Sequence, residues 1–328
     1  GHVFQEFRDI NELPEDSGRR VLTTGGHFGY LKIAEGCDKH CTYCIIPSLR
    51  GKFRSVPEER LLAQAEYMAS QGVKELILVA QETTVYGTDL YGKKTLHILL
   101  KKLCQIKGIR WIRVLYCYPE EIYDELIQVM KEEKKICNYL DLPIQHASDR
   151  ILKRMGRRTT RKQLEDIIAK LRREIPDIVL RTSLITGFPG ETQEDHEELM
   201  EFVDEMEFDR LGVFTYSPEE GTPAETMEGQ VPEEVKEERR DELMSLQQEI
   251  SLEKGDERIG QELLVMIEGK VSGESAYIAR TYADAPKVDG YIFVQTGELL
   301  VTGDFARVRV TGALEYDLIG ELADEYTE

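Results

Sequence analysis

No apolar run in the 328 residues approaches the roughly 20 needed to span a bilayer, and no secretory leader stands at the start. A membrane-spanning helix is excluded on that count, and export is not expected. No internal repeat and no low-complexity tract is visible, which leaves an ordinary globular chain. Positive charge is scarce: 42 Lys plus Arg face 62 Asp plus Glu, a net of −20. Such a surface repels phosphate backbones and attracts basic partners, so nucleic acid is not the expected primary partner. Cysteine is scarce too, with six in all, yet Cys37, Cys41 and Cys44 fall within eight residues. An odd triplet so tightly spaced is no disulfide framework. It points to a reducing compartment, hence the cytoplasm, and to metal or redox chemistry. An initiator Met is also missing, and "GH" at the start reads as a remnant of tagging, so a segment upstream is expected.

Residues 1–29 are polar and irregular and read as a linker or lead-in. Apolar, strand-like runs then recur over residues 30–36, 75–81, 111–119, 139–146, 179–189 and 210–218. Segments of helical period lie between them. One carries Leu61, Leu62, Ala65 and Met68 on one face, with Pro57 at its start and Gly72 at its end. Strands alternating with helices imply right-handed βαβ units and a parallel sheet, open or curled into a partial barrel. The fold class expected is therefore α/β, a partial (β/α)6 barrel over residues 30–231. Ligands in such folds sit at the carboxyl ends of the strands. A charged helix with a thin stripe of Leu243, Leu246 and Ile250 is expected over 232–257. From 258 to 328 the period switches to two with Gly turns, which predicts a small all-β barrel.

The triplet follows the first strand directly, and Gly36 permits a sharp exit from it. Structural zinc sites want four closed ligands, and no fourth cysteine lies nearby. Three thiolates leave one metal position open for an exogenous ligand. Cys104, Cys117 and Cys137 read as small buried hydrophobes, and His40 as a solvated loop residue.

With Tyr43 before the third cysteine, CxxxCxxC resembles the radical S-adenosylmethionine (SAM) superfamily. The stretch "GCDKHCTYCIIPSLRGKFRS" resembles its methylthiotransferase branch. The resemblance implies a 4Fe–4S cluster on Cys37, Cys41 and Cys44, with SAM on the unique iron as the fourth ligand. Reductive cleavage of its sulfonium then gives a 5′-deoxyadenosyl radical. The same resemblance puts Tyr43 near the adenine and Gln81 and Glu82 near the methionyl group. Gln145 points the same way, Arg157 is suited to clamp a carboxylate at two points, and the backbone at Gly187 and Gly190 approaches the adenosyl group. Glu191 reads as a structural acid at a helix start. No residue stands out as a separate catalytic acid or base.

Three stretches resemble the branch that modifies an aspartate of ribosomal protein S-twelve rather than a transfer-RNA adenosine: "QETTVYG", "RTYADAPKVDG" and "EYDLIGE". The C-terminal barrel resembles a TRAM domain, which is basic in the RNA-modifying branch. Here residues 259–328 hold thirteen acidic and five basic side chains, a net of −8, so RNA binding by the barrel is not expected. A basic ribosomal protein is the partner that charge favours, together with a reducing electron donor. The family also carries an N-terminal domain with a second 4Fe–4S cluster, not found in this sequence, so full sulfur insertion by this chain alone is not expected. The rival readings are a transfer-RNA methylthiotransferase, a non-enzymatic iron–sulfur electron carrier and a zinc-organised scaffold.

Overall fold

The computed structural model describes residues 9–12 and 22–323. Much of the lead-in expected over residues 1–29, and the tail after residue 323, lie outside the described residues. The first unit is built on six strands: β1 (Phe28–Lys32), β2 (Glu75–Val79), β3 (Trp111–Val114), β4 (Ile136–Asp141), β5 (Val179–Thr186) and β6 (Arg210–Thr215). They pair in that order and all in parallel. An unreversed order is what successive right-handed βα units produce when each adds a strand on the same side. A doubly wound sheet would reverse part-way. β1 and β6 do not pair, so the barrel stays open.

Helices α1 (Glu58–Ser70), α2 (Leu96–Cys104), α3 (Asp124–Glu132), α4 (Arg161–Glu174) and α5 (Gln193–Met206) cover the outside. Their buried faces follow the helical period, as with Leu61, Ala65 and Met68 in α1 and Leu164, Ile168 and Leu171 in α4. The strands are buried on one face by these helices and on the other by the barrel interior, which is why they read as near-continuous apolar runs. Helix α6 (Glu233–Asp256) follows, burying Leu243 and Ile250 and leaving Leu246 half-buried. Its Gln247 donates to the Phe208 carbonyl at 2.9 Å and Lys236 to that of Tyr216 at 2.8 Å.

The second unit is a closed barrel of β7 (Glu262–Lys270), β8 (Ala276–Arg280), β9 (Ile292–Gln295), β10 (Phe305–Ala313) and β11 (Leu318–Leu322), in the order β8-β9-β11-β10-β7. It closes the lower end of the half-barrel. Met266, Ala283, Ala285 and Phe305 pack onto Phe28, Trp111, Cys137 and Val179, which sit at or next to the amino ends of the sheet strands.

Candidate active site

The loop after β1 is pinned on several sides. The Gly36 amide donates to Gln81 Oε1 at 2.8 Å, and the Cys37 amide to the Gly51 carbonyl at 3.2 Å. Gly36 has φ +82°, and a Cβ there would stand 2.1 Å from the Lys52 carbonyl oxygen, so only glycine fits. Further on, Thr42 N donates to the Met155 carbonyl at 2.9 Å and Cys44 N to that of Cys41 at 3.0 Å. His40 is exposed, at φ 54°.

Cys37 and Cys41 are buried and Cys44 is half-buried. Burial pushes the Cys37 thiol up to about 11, with the neighbouring Cys41, Glu82 and Cys44 adding to the rise against a lowering hydrogen bond from the Lys39 backbone. Burial likewise raises Cys44. A single zinc ion would draw its thiolates to about 2.3 Å from one point. Among the described residues no three His, Cys, Asp or Glu side chains converge in that way. Cys37 and Cys44 instead flank open space, in two cavities, while Cys41 lines neither. One, of 470 Å³, holds Tyr43, Cys44, Gln81, Tyr118 and Gln145 on its wall. The other, of 570 Å³, is lined by Cys37, Cys44, Gln81, Tyr116 and Tyr118. Thiols around an open space at the carboxyl ends of the strands suit a cluster with an outward position better than a closed ion site.

The remaining expected contacts divide. Tyr43 lines the 470 Å³ cavity and meets Phe188 edge-on at 6.4 Å. Gln145, at φ 73°, extends β4 beside β5 by bonds to Ser183 and Ile185, at 2.9 and 2.8 Å, and also lines that cavity. Glu82, Arg157, Gly187 and Gly190 line neither cavity. Glu82 is buried; one oxygen takes the Thr84 amide at 2.8 Å and the other has no hydrogen-bond partner among the described residues. Burial pushes its carboxyl up to about 7. Arg157 stacks behind Tyr118 at 4.2 Å and donates to the Pro143 carbonyl at 3.0 Å, while Nε and Nη1 have no hydrogen-bond partner among the described residues. At Gly187 a Cβ would lie 2.1 Å from Lys236, and at Gly190 2.9 Å from the Arg154 guanidinium. On the Cβ side, each glycine therefore faces a protein side chain. Glu191 is a structural acid: burial opposes its ionisation, but the His146 ring 3.5 Å away and the Arg239 guanidinium at 2.7 Å hold its carboxyl below the usual range. Burial pushes Cys104, Cys117 and Cys137 each up to about 12, as inert core thiols.

The sequence reading missed the polar floor. Arg181 donates to Asp141 at 2.7 Å and lies 3.3 Å from Asp289 of the C-terminal barrel, which also accepts from the Tyr139 hydroxyl at 2.7 Å. Its signal was present in β5, where Arg181, Ser183 and Ile185 alternate with buried Thr182, Leu184 and Thr186 and so face the interior.

The Radical SAM superfamily model matches residues 31–203, and a TRAM domain model matches 259–323. The chain is 62% identical to a ribosomal protein uS12 methylthiotransferase RimO of Lachnoclostridium phytofermentans, over 98% of this chain and 73% of that relative. The chain belongs to the RimO family of the radical SAM superfamily. RimO relatives of Clostridium botulinum and Clostridium perfringens are 52% and 54% identical, the matches spanning 72% and 71% of their lengths. Among solved structures, the radical SAM methyltransferase TsrM of Kitasatospora setae shares the fold at a TM-score of 0.51 and 16% identity, over 60% of this chain and 38% of that one. The RimO assignment accounts for both units of the fold: the open six-stranded barrel and the closed five-stranded one.

Proposed function

We propose that this protein is a radical SAM methylthiotransferase acting on ribosomal protein uS12, with the β-carbon of an aspartate as the target. The observation that carries this is the 62% identity to a RimO enzyme over 98% of the chain, with Cys37 and Cys44 of the triplet flanking a 570 Å³ cavity. In this reading Cys37, Cys41 and Cys44 hold one 4Fe–4S cluster. When bound, that cluster with SAM supplies reductive cleavage of the sulfonium and so a radical able to remove a hydrogen from carbon. The protein's own part is placement. The pinned loop after β1 fixes the thiols. Tyr43, Tyr116 and Tyr118 give the cavities an aromatic wall. Gln81 belongs to both cavities and also holds the loop through Gly36, so it couples cofactor placement to the thiols. A reducing electron donor is required. No helix among the described residues is long and apolar enough to cross a membrane, and the cytoplasm is the proposed location. The net of −8 over residues 259–328 supports a basic protein rather than RNA as the barrel's partner.

The test is anaerobic reconstitution with iron and sulfide, then dithionite and SAM, with 5′-deoxyadenosine quantified. Product is expected from the wild type and none from the variant with Cys37, Cys41 and Cys44 changed to Ala. Iron loading of about four per chain without any product would instead support the electron-carrier reading.

A further inference from the structure

Positive charge is scarce in this chain, yet it is not evenly spread. Residues 36–54 and 150–158 together hold nine Lys and Arg against one Asp, a net of +8, which leaves −28 on the other 300 residues. The two stretches meet on the cysteine loop. On one side Gly36 and Cys37 pack against the backbone of Gly51 and Lys52. On the other, Thr42 donates from its amide to the Met155 carbonyl at 2.9 Å and from its hydroxyl to that of Arg154 at 2.8 Å, and a Cβ on Gly156 would lie 3.3 Å from the His40 carbonyl oxygen.

Some of these charges are met within the protein. Lys39 pairs with Glu121 and Arg150 with Asp195, and Arg154 donates to the carbonyls of Pro189 at 2.9 Å and Glu228 at 3.1 Å. Lys52, Lys153 and Arg158 are exposed and have no ion-pair partner among the described residues. Like charges gathered on one surface repel one another and create a positive field on an otherwise negative molecule, which draws an acidic partner. Position says what that partner brings. Cys41 lines neither cavity, and its chain neighbours His40 and Thr42 are the residues that touch the turn at 154–156. The basic surface therefore lies behind the triplet, on the side away from the space left for SAM.

We propose that Lys52, Lys153 and Arg158 form a docking patch for an acidic one-electron carrier protein, of the flavin or iron–sulfur type, which delivers its electron on the Cys41 side of the loop. This rests on the reading of the triplet as a cluster site. The carrier is oxidised by one electron and the cluster is reduced by one; no bond forms or breaks in that step and no proton is needed. An RNA strand also carries negative charge, but it would run beyond the patch into the field of the other residues and be repelled there. A compact protein presents one acidic face to the patch alone.

The experiment uses flavodoxin, an acidic protein carrying flavin mononucleotide, as the probe. Its binding to the protein is followed by anisotropy of a label at two salt concentrations. Reduction of the reconstituted cluster is followed separately, by its visible absorbance, with reduced flavodoxin and with photoexcited deazaflavin as a small reductant that needs no docking. Lys52→Glu, Lys153→Glu and Arg158→Glu are each expected to weaken flavodoxin binding and slow flavodoxin-driven reduction by about tenfold. Reduction by deazaflavin should stay within about twofold of the wild type, and wild-type binding should weaken as salt rises. Lys107→Glu changes the net charge equally at an exposed site before β3, and should bind flavodoxin within about twofold of the wild type. Equal binding and rates in the wild type and the three patch variants overturn the patch, as does a loss in Lys107→Glu as large as theirs. Polyuridylate bound more tightly than flavodoxin, and lost in the same variants, assigns the patch to RNA and overturns the carrier. A wild type that deazaflavin does not reduce overturns the cluster reading itself, whatever flavodoxin binding shows.

Discussion

The two ends of the half-barrel treat buried charge in opposite ways. At the lower end Glu75 of β2 accepts from Arg113 at 2.9 Å and from Arg280 of the C-terminal barrel at 2.7 Å, and Arg280 also meets Glu268 at 2.7 Å. Arg113 leaves only Nη2 without a hydrogen-bond partner, and its guanidinium lies over the Tyr139 ring at 4.6 Å. Burial opposes the ionisation of Glu75, but the two arginines outweigh it and hold the carboxyl low. At the upper end Arg157 leaves two nitrogens unmet and Glu82 one oxygen, within a shell of strained backbone and thiols. Charges matched to one another hold two units together. Buried polar atoms left without a partner among the described residues are what a ligand would complete.

Removing the thiols should have the largest effect and should leave the lower end untouched. Changing any one of Cys37, Cys41 or Cys44 to Ala is expected to cut 5′-deoxyadenosine formation by about a thousandfold or more, since in the proposed reading the radical step depends on a cluster that these thiols would hold. The assay is product per folded protein, and a variant retaining more than a tenth of the wild-type rate would break the contrast. The mirror experiment is Glu75→Gln, which strands two buried guanidinium groups with half their compensation. It should cost about 3–5 kcal/mol, read as a lowered midpoint in urea. A midpoint within error of the wild type would mean that the network holds nothing.

The sheet could be read from sequence because strands buried on two faces are near-continuous apolar runs. The cysteine triplet was legible because its spacing carries its chemistry. Strand ends were not: residues 111–119 read as one strand, but β3 stops at Val114 because Tyr116 turns to φ 60°. Nothing local announces that, since Asp141 and Thr83 impose it from elsewhere. The alternation in β5 marks Arg181 as facing the interior, but nothing in either stretch marks Asp289, from the other unit, as its partner. Gly187 and Gly190 were visible as glycines that backbone geometry requires, at φ +68° and +83°, but sequence does not say whether a ligand or a side chain takes the space.

A matched charge at the upper end tests whether position or pairing decides. Asp195 at the start of α5 accepts from Ser148 at 2.7 Å, from the Thr192 amide at 2.8 Å and from Arg150, so it ties together the loops after β4 and β5. Burial works against its ionisation, but these bonds prevail and lower it from 3.8 to about 2. A carboxyl lowered in the folded state stabilises above its unfolded value and stops doing so as pH falls through the folded one. Asp195→Asn should therefore cost about 2 kcal/mol near neutrality, and the difference should shrink between pH 4 and pH 2. A cost independent of pH over that interval would assign the loss to packing instead.

Arg157 is the smallest expected effect and the sharpest discriminator. Its Nε and Nη1 are buried without a hydrogen-bond partner among the described residues, while its guanidinium lies over the Tyr118 ring at 4.2 Å. Arg157→Lys keeps the charge and loses both the plane and the two-point donor set. If the open donors serve a carboxylate of the cofactor, the KM for SAM should rise about tenfold with kcat nearly constant, and that is the outcome expected from the unmet nitrogens. A fall in kcat at constant KM would show that Arg157 acts through Tyr118 and Cys41, whose sulfur lies 3.5 Å from the Tyr118 hydroxyl. In that case the upper end is as self-contained at this residue as the lower end is at Glu75, and the division between matched and open charge would begin at Glu82 instead.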